Sequence, residues 1–169
     1  MLSSCENKLE EIDAVIEKEA PFETARNIEM ITSDSARVEF VLTAPLLERY
    51  KLKKDSSYIE FPEGVSVVFY NKQGKKHTTI TADYAINYES EDRMLAEKNV
   101  KIINNNGDVL TGEHLWWDKD SKKIYSDDFV KIVTKDEVIY GNGLEANEDF
   151  SWYKILNIEG ILSVKEGDI

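Results

Sequence analysis

From about Ala25 onward, apolar and polar residues alternate with a period of two, the signature of half-buried strands. Val38-Glu39-Phe40-Val41-Leu42 predicts the first clear strand, and Pro45 soon after it predicts an edge or a bend. Phe61-Pro62-Glu63-Gly64 reads as a turn before a strand over 65–70. Asn71-Lys72-Gln73-Gly74 is a hairpin turn with glycine where positive φ is needed. Further strands are predicted over 80–88, 100–104, 109–118, 124–126 and 129–134, from 138 onward, and over 152–164, joined by charged or Asn/Gly turns. Residues 6–19 differ. Leu9, Ile12, Val15 and Ile16 stand at helical spacing and predict a short amphipathic helix or tether that ends before Pro21. The organisation expected is a tether over 1–24 and one all-β domain over 25–169.

The strands repeat. Thr111-Gly112-Glu113-His114 lies 30 residues after Thr81-Ala82-Asp83-Tyr84. Val100-Lys101-Ile102 likewise maps onto Val130-Lys131-Ile132, and Met94-Leu95 onto Ile124-Tyr125. A third copy starts at Gly141-Asn142-Gly143-Leu144 and then loses register. A fixed period means one supersecondary unit used again, each copy covering its neighbour's apolar face. Strand parity puts Lys101 and Lys131 outside, and Val100, Ile102, Val130 and Ile132 on one interior surface. The same parity turns Phe40, Val67, Phe69, Leu115 and one tryptophan of Trp116-Trp117, assigned as Trp117, towards an apolar trough. The expected object is an antiparallel β-jellyroll or twisted open roll of repeated hairpins.

Composition narrows the function. Acids outnumber bases 33 to 21, and the net charge of −12 would repel a phosphate backbone, so nucleic acid is not an expected partner. The single cysteine, Cys5, allows neither an intramolecular disulfide nor a thiolate metal site. Leu2-Ser3-Ser4-Cys5 has the form of a lipobox, with polar Glu6-Asn7-Lys8 following at once. An apolar signal stretch is expected to precede such a tetrapeptide, and lipidated Cys5 would anchor the chain to a membrane without spanning it.

No catalytic constellation emerges, and no cofactor is implied. His77 falls in a basic turn, where a solvated side chain is expected; His114 falls within a strand, beside aromatics. Neither has metal-ligand spacing or a nucleophile motif around a serine. Asp118, Asp120, Asp127 and Asp128 occupy predicted turns, where aspartate bonds the backbone. Gly141-Asn142-Gly143 lacks the rest of a phosphate loop and suits a bulge or a close strand crossing.

The runs Ile80-Thr81-Ala82-Asp83-Tyr84-Ala85, Leu110-Thr111-Gly112-Glu113-His114-Leu115-Trp116-Trp117-Asp118, Ile124-Tyr125-Ser126-Asp127-Asp128-Phe129-Val130-Lys131-Ile132 and Gly141-Asn142-Gly143-Leu144-Glu145-Ala146 resemble the LptC family. That family is the periplasmic component of the lipopolysaccharide export ABC transporter, and it shares its repeat unit with LptA-type bridge proteins. The resemblance covers most of residues 25–162. It implies a β-jellyroll whose groove carries lipopolysaccharide acyl chains, with LptF/LptG-type subunits at the N-terminal edge and an LptA-type protein at the C-terminal edge. It also implies that Gly143 and Leu144 support docking and groove shape. The best-known relatives begin with a transmembrane helix, whereas the anchor expected here is lipidated Cys5, in the inner membrane by preference. The alternatives are a structural or adhesive envelope lipoprotein with a filled interior, and a carbohydrate-active enzyme with converging carboxylates.

Overall fold

The computed structural model describes residues 20–51 and 56–163. Cys5 and the predicted helix over 6–19 lie outside the described residues. Eleven strands follow in order: β1 (Glu23–Asp34), β2 (Arg37–Lys51), β3 (Ser57–Phe61), β4 (Val65–Tyr70), β5 (Lys76–Ala82), β6 (Tyr84–Tyr88), β7 (Arg93–Asn104), β8 (Val109–Asp118), β9 (Lys123–Val133), β10 (Glu137–Asn147) and β11 (Tyr153–Ser163). All belong to one antiparallel sheet. β3 and β4 pair with successive halves of β2, and β6 and β5 with successive halves of β7. The chain is therefore a meander of long strand paths, each bent near its middle.

The bends line up. Pro45 interrupts β2, Pro62 to Gly64 separates β3 from β4, and Asp83 separates β5 from β6. Asn27 in β1 has φ 50°, Lys98 and Asn99 in β7 have φ 63° and 51°, and Gly143 in β10 has φ 82°. β8 and β9 lose register between Gly112 and Trp116. A strand that must turn leaves the extended region there, where glycine and asparagine reach positive φ at least cost and proline leaves no ladder donor to lose. The sheet folds over along this line into two leaves, one holding β4 and β5, the other β3 and β6. The repeat motifs around Asp83, Glu113 and Gly143 all sit on this fold line, in strands that cross it in the same direction.

The facing surfaces of the leaves form one continuous core. Leu42, Val67, Phe69, Ile80, Ile102, Leu110 and Ile132 come from the first leaf; Ile59, Phe61, Ala85, Met94, Leu115, Trp117, Ile124 and Leu144 come from the second. Lys101 and Lys131 are exposed on the outside. Trp117 is buried inside, while Trp116 lies outside, stacked near Tyr88 and beneath the Arg93 guanidinium at 4.7 Å.

Several expectations change. β1 precedes the first clear strand read from the sequence and covers the stretch where alternation begins near Ala25; that alternation is weak because most of its side chains are exposed on an edge. β3 also escaped notice, being five residues long. Pro45 marks a bend and not an edge, since β2 is paired on both sides. The two short runs at 124–126 and 129–134 are one strand, β9, with Asp127 and Asp128 at the fold line.

On the outer face, Tyr84 stands beside buried Glu60. Burial first, and this carboxylate second, raise its phenol well above the usual range; burial also raises Tyr88 and Tyr153. A phenol whose folded pKa is raised contributes stability that is complete below the unfolded value of about 10 and is lost as pH rises through the folded value. Alkaline destabilisation should therefore steepen above about pH 10, and Tyr84→Phe should flatten it. Urea unfolding across that range, with tyrosinate absorbance followed in parallel, measures both; an unchanged slope in the variant would count against Tyr84 as a source.

Candidate functional site

Opposite the fold line, the hairpin turns of the two leaves form two rims with a mouth between them. A cavity of about 300 Å³ opens there. Met30, Phe40, Leu42, Phe61, Met94 and Trp117 make its apolar wall, and Glu39, Asn87, Lys119, Lys122 and Glu148 its polar rim. Phe40, Phe69 and Trp117 form a triangle beneath it, with ring centres 5.0 to 5.6 Å apart and two edge-on contacts. Because Phe40 and Phe69 belong to one leaf and Trp117 to the other, this triangle ties the leaves together.

An ion-pair strap crosses the mouth beside the cavity. Lys122 Nζ lies 3.3 Å from Glu39 Oε1 and 3.4 Å from Glu148 Oε1. Glu148 Oε2 accepts the indole N–H of Trp117 at 3.3 Å. These carboxylates hold the Lys122 ammonium above its usual range, Glu148 foremost. On the far side of the strap lies a second depression of about 490 Å³, reached by Arg37, Val38, Phe69, Tyr70 and His77. There the turn between β10 and β11 closes the mouth: the Thr78 hydroxyl donates to the Asp149 carbonyl, and Phe150 enters the core, stacked on Tyr153 at 4.8 Å.

All nine residues assigned to the trough by parity face the interior or pack against it, and the structure divides them. Phe40 and Trp117 line the cavity, and Phe69 lines the second depression. Val67, Val100, Ile102, Leu115, Val130 and Ile132 are at most 3 % exposed and packed against other core side chains. Sequence reasoning missed Met30, Leu42, Phe61 and Met94. Leu42 shares the parity of Phe40, so alternation could have found it, and Met94 belongs to the repeat; Met30 lay in the unrecognised β1.

Leu144 is fully buried and Gly143 sits on the fold line at φ 82°, so both shape β10 where it bends. Gly141 is the close crossing: a Cβ there would stand 2.1 Å from the Asn157 carbonyl oxygen of β11. His77 is not a solvated turn residue, because its Nε2 is buried, 3.9 Å from Asp149. His114 faces carboxylates on the outer surface, with Nδ1 2.6 Å from Asp128 and Nε2 3.5 Å from Glu97. Among the described residues, no group of His, Cys, Asp and Glu is placed to hold a metal ion, and no helix is long and apolar enough to cross a membrane.

Among the described residues the sheet has two free edges: β1 pairs only with β2, and β11 only with β10. β11 exposes Leu156, Ile158, Ile161 and Leu162, an apolar edge strand of the kind that recruits another strand.

A family model described as lipopolysaccharide-assembly, LptC-related, matches residues 3–157. No curated protein matches the chain.

Proposed function

The chain belongs to the LptC family of lipopolysaccharide export, and from that premise we propose that it takes lipid A acyl chains between its two leaves and passes lipopolysaccharide from the inner-membrane ABC transporter to the periplasmic bridge. The observation that carries this reading is the apolar cavity of about 300 Å³ at the mouth, with its charged rim. Each methylene buried there contributes about 0.8 kcal/mol, so no catalytic group is needed to hold the cargo. Filled deeper positions such as Ile102 and Ile132 imply that the leaves part as chains enter. In this reading β1 accepts an edge strand from an LptF/LptG-type subunit and β11 one from an LptA-type protein, by strand addition. Lipidated Cys5 holds the domain in the periplasm at the inner membrane.

Photocrosslinking in cells tests the cargo. Probes at Phe40 and Met94, on the cavity wall, should capture lipopolysaccharide, and probes at exposed Lys101 and Lys131 should not. Capture only at the lysines would move the lipid to the outer face. Absence of capture from folded protein would favour a structural envelope lipoprotein, the reading that the closely packed Val100, Ile102, Val130 and Ile132 support.

A further inference from the structure

Lys119 is the one cation on the cavity rim that has no carboxylate within ion-pair reach among the described residues. It opens the turn between β8 and β9, and its backbone N–H donates to the Asp92 carbonyl at 2.9 Å, which fixes that turn against the neighbouring one. Its side chain bends over the cavity. The ammonium donates to the amide oxygen of Asn87 and stands 5.9 Å from the centre of the Trp117 ring. Burial lowers its pKa, and Asp92 and Glu89 only partly oppose this from a distance. An ammonium has three donors, so one neutral hydrogen bond leaves two to be met. Half-burying a cation against Trp117 and Met94 costs it part of its hydration, which an isosteric apolar side chain would recover.

Lys122 makes the contrast. It shares the same rim, but Glu39 and Glu148 already neutralise it. Lys122 straps the mouth, and Lys119 is left to receive a ligand. The wall it overhangs is Met30, Phe40 and Met94, so the ligand has an apolar part next to an anionic one. The net charge of −12 disfavours a free anion, which would bring no apolar contact to offset that field. An amphiphile does bring it.

We propose that Lys119 and Asn87 form an anion subsite at the mouth, where the ammonium binds a phosphate of the lipid headgroup while the acyl chains enter past Met30, Phe40 and Met94. This rests on the acyl-carrying reading above. Lys119 thereby sets the depth at which the amphiphile stops and selects phosphorylated lipid over its neutral counterpart.

The test compares binding of lipid A and of enzymatically dephosphorylated lipid A to the full chain, to Lys119→Met and to Lys119→Arg. Wild type should bind lipid A about tenfold more tightly than the dephosphorylated form, the range of one charge-assisted contact. Lys119→Met should bind both forms alike, at the wild-type affinity for the dephosphorylated lipid, with a melting temperature no lower than wild type. Lys119→Arg should keep the preference. Equal binding of both lipids by wild type, or an undiminished preference in Lys119→Met, would overturn the subsite and leave the acyl-carrying reading standing. Failure of both lipids to bind folded wild type would overturn that reading itself. Inorganic phosphate alone should leave the wild-type melting temperature unchanged; a rise that Lys119→Met abolishes would mark a free-anion site and overturn the assignment to a lipid headgroup.

Discussion

Replacing Phe150 by alanine is expected to lower the unfolding free energy by about 3–5 kcal/mol. The ring is fully buried and lies nearly parallel to Tyr153, at 13°. It reaches the core from a turn that cannot collapse into the space it would leave. Its own N–H donates to the Asn147 carbonyl at 2.9 Å, the Trp152 N–H donates to Asn147 Oδ1 at 2.8 Å, and Asp149 receives the Thr78 hydroxyl from the opposite leaf. With these three hydrogen bonds in place the cavity persists, and the cost includes the lost contacts as well as the lost transfer energy. Urea denaturation followed by tryptophan fluorescence measures it. A loss under about 1 kcal/mol would mean that the turn moves in to fill the space, and that the mouth on this side is pliable.

The second large effect is expected at Gly141. The Cβ of Gly141→Val would stand 2.1 Å from the Asn157 carbonyl oxygen and 2.9 Å from its carbonyl carbon, and both are backbone atoms of the neighbouring strand. Backbone cannot step aside as a side-chain tip can, so β11 must leave β10. Gly160 is opposite Tyr140 in the same strand pair, and its bare Cα makes room for the phenol ring, whose oxygen would lie 2.3 Å from an added Cβ. The cost should be about 3 kcal/mol, the upper range for overpacking. Its distribution is the sharper readout. Amides of 153–163 should exchange rapidly while those of β7 and β8 remain protected, because only the edge strand detaches. The free edge then passes from β11 to β10, and under the proposed function strand addition at the C-terminal end should fall with it. Protection of β11 equal to wild type would refute the close-crossing account.

Much of the fold was legible because its signals are local. Alternation with period two placed Val100, Ile102, Val130 and Ile132 inside and Lys101 and Lys131 outside, and it separated Trp116 from Trp117. The 30-residue repeat was legible too, although its meaning was not: its motif marks where strands cross the fold line. β1 gave no clear strand because only a few of its side chains, Ala25 and Ile28 among them, pack against the core, and an edge strand covered so sparsely carries little alternation.

The chain by itself thus determined most of the strands, their parity and the family, since each depends on residues two positions apart or on short motif runs within one hairpin. Tertiary structure alone decided where an open cavity remains in that interior. Lys122 meets Glu39 across 83 residues, Phe40 and Phe69 meet Trp117 only when one leaf lies over the other, and Phe150 enters from a turn with no strand pattern. These contacts depend on the bends and twist accumulated over all the strands between them, a quantity that no local spacing encodes.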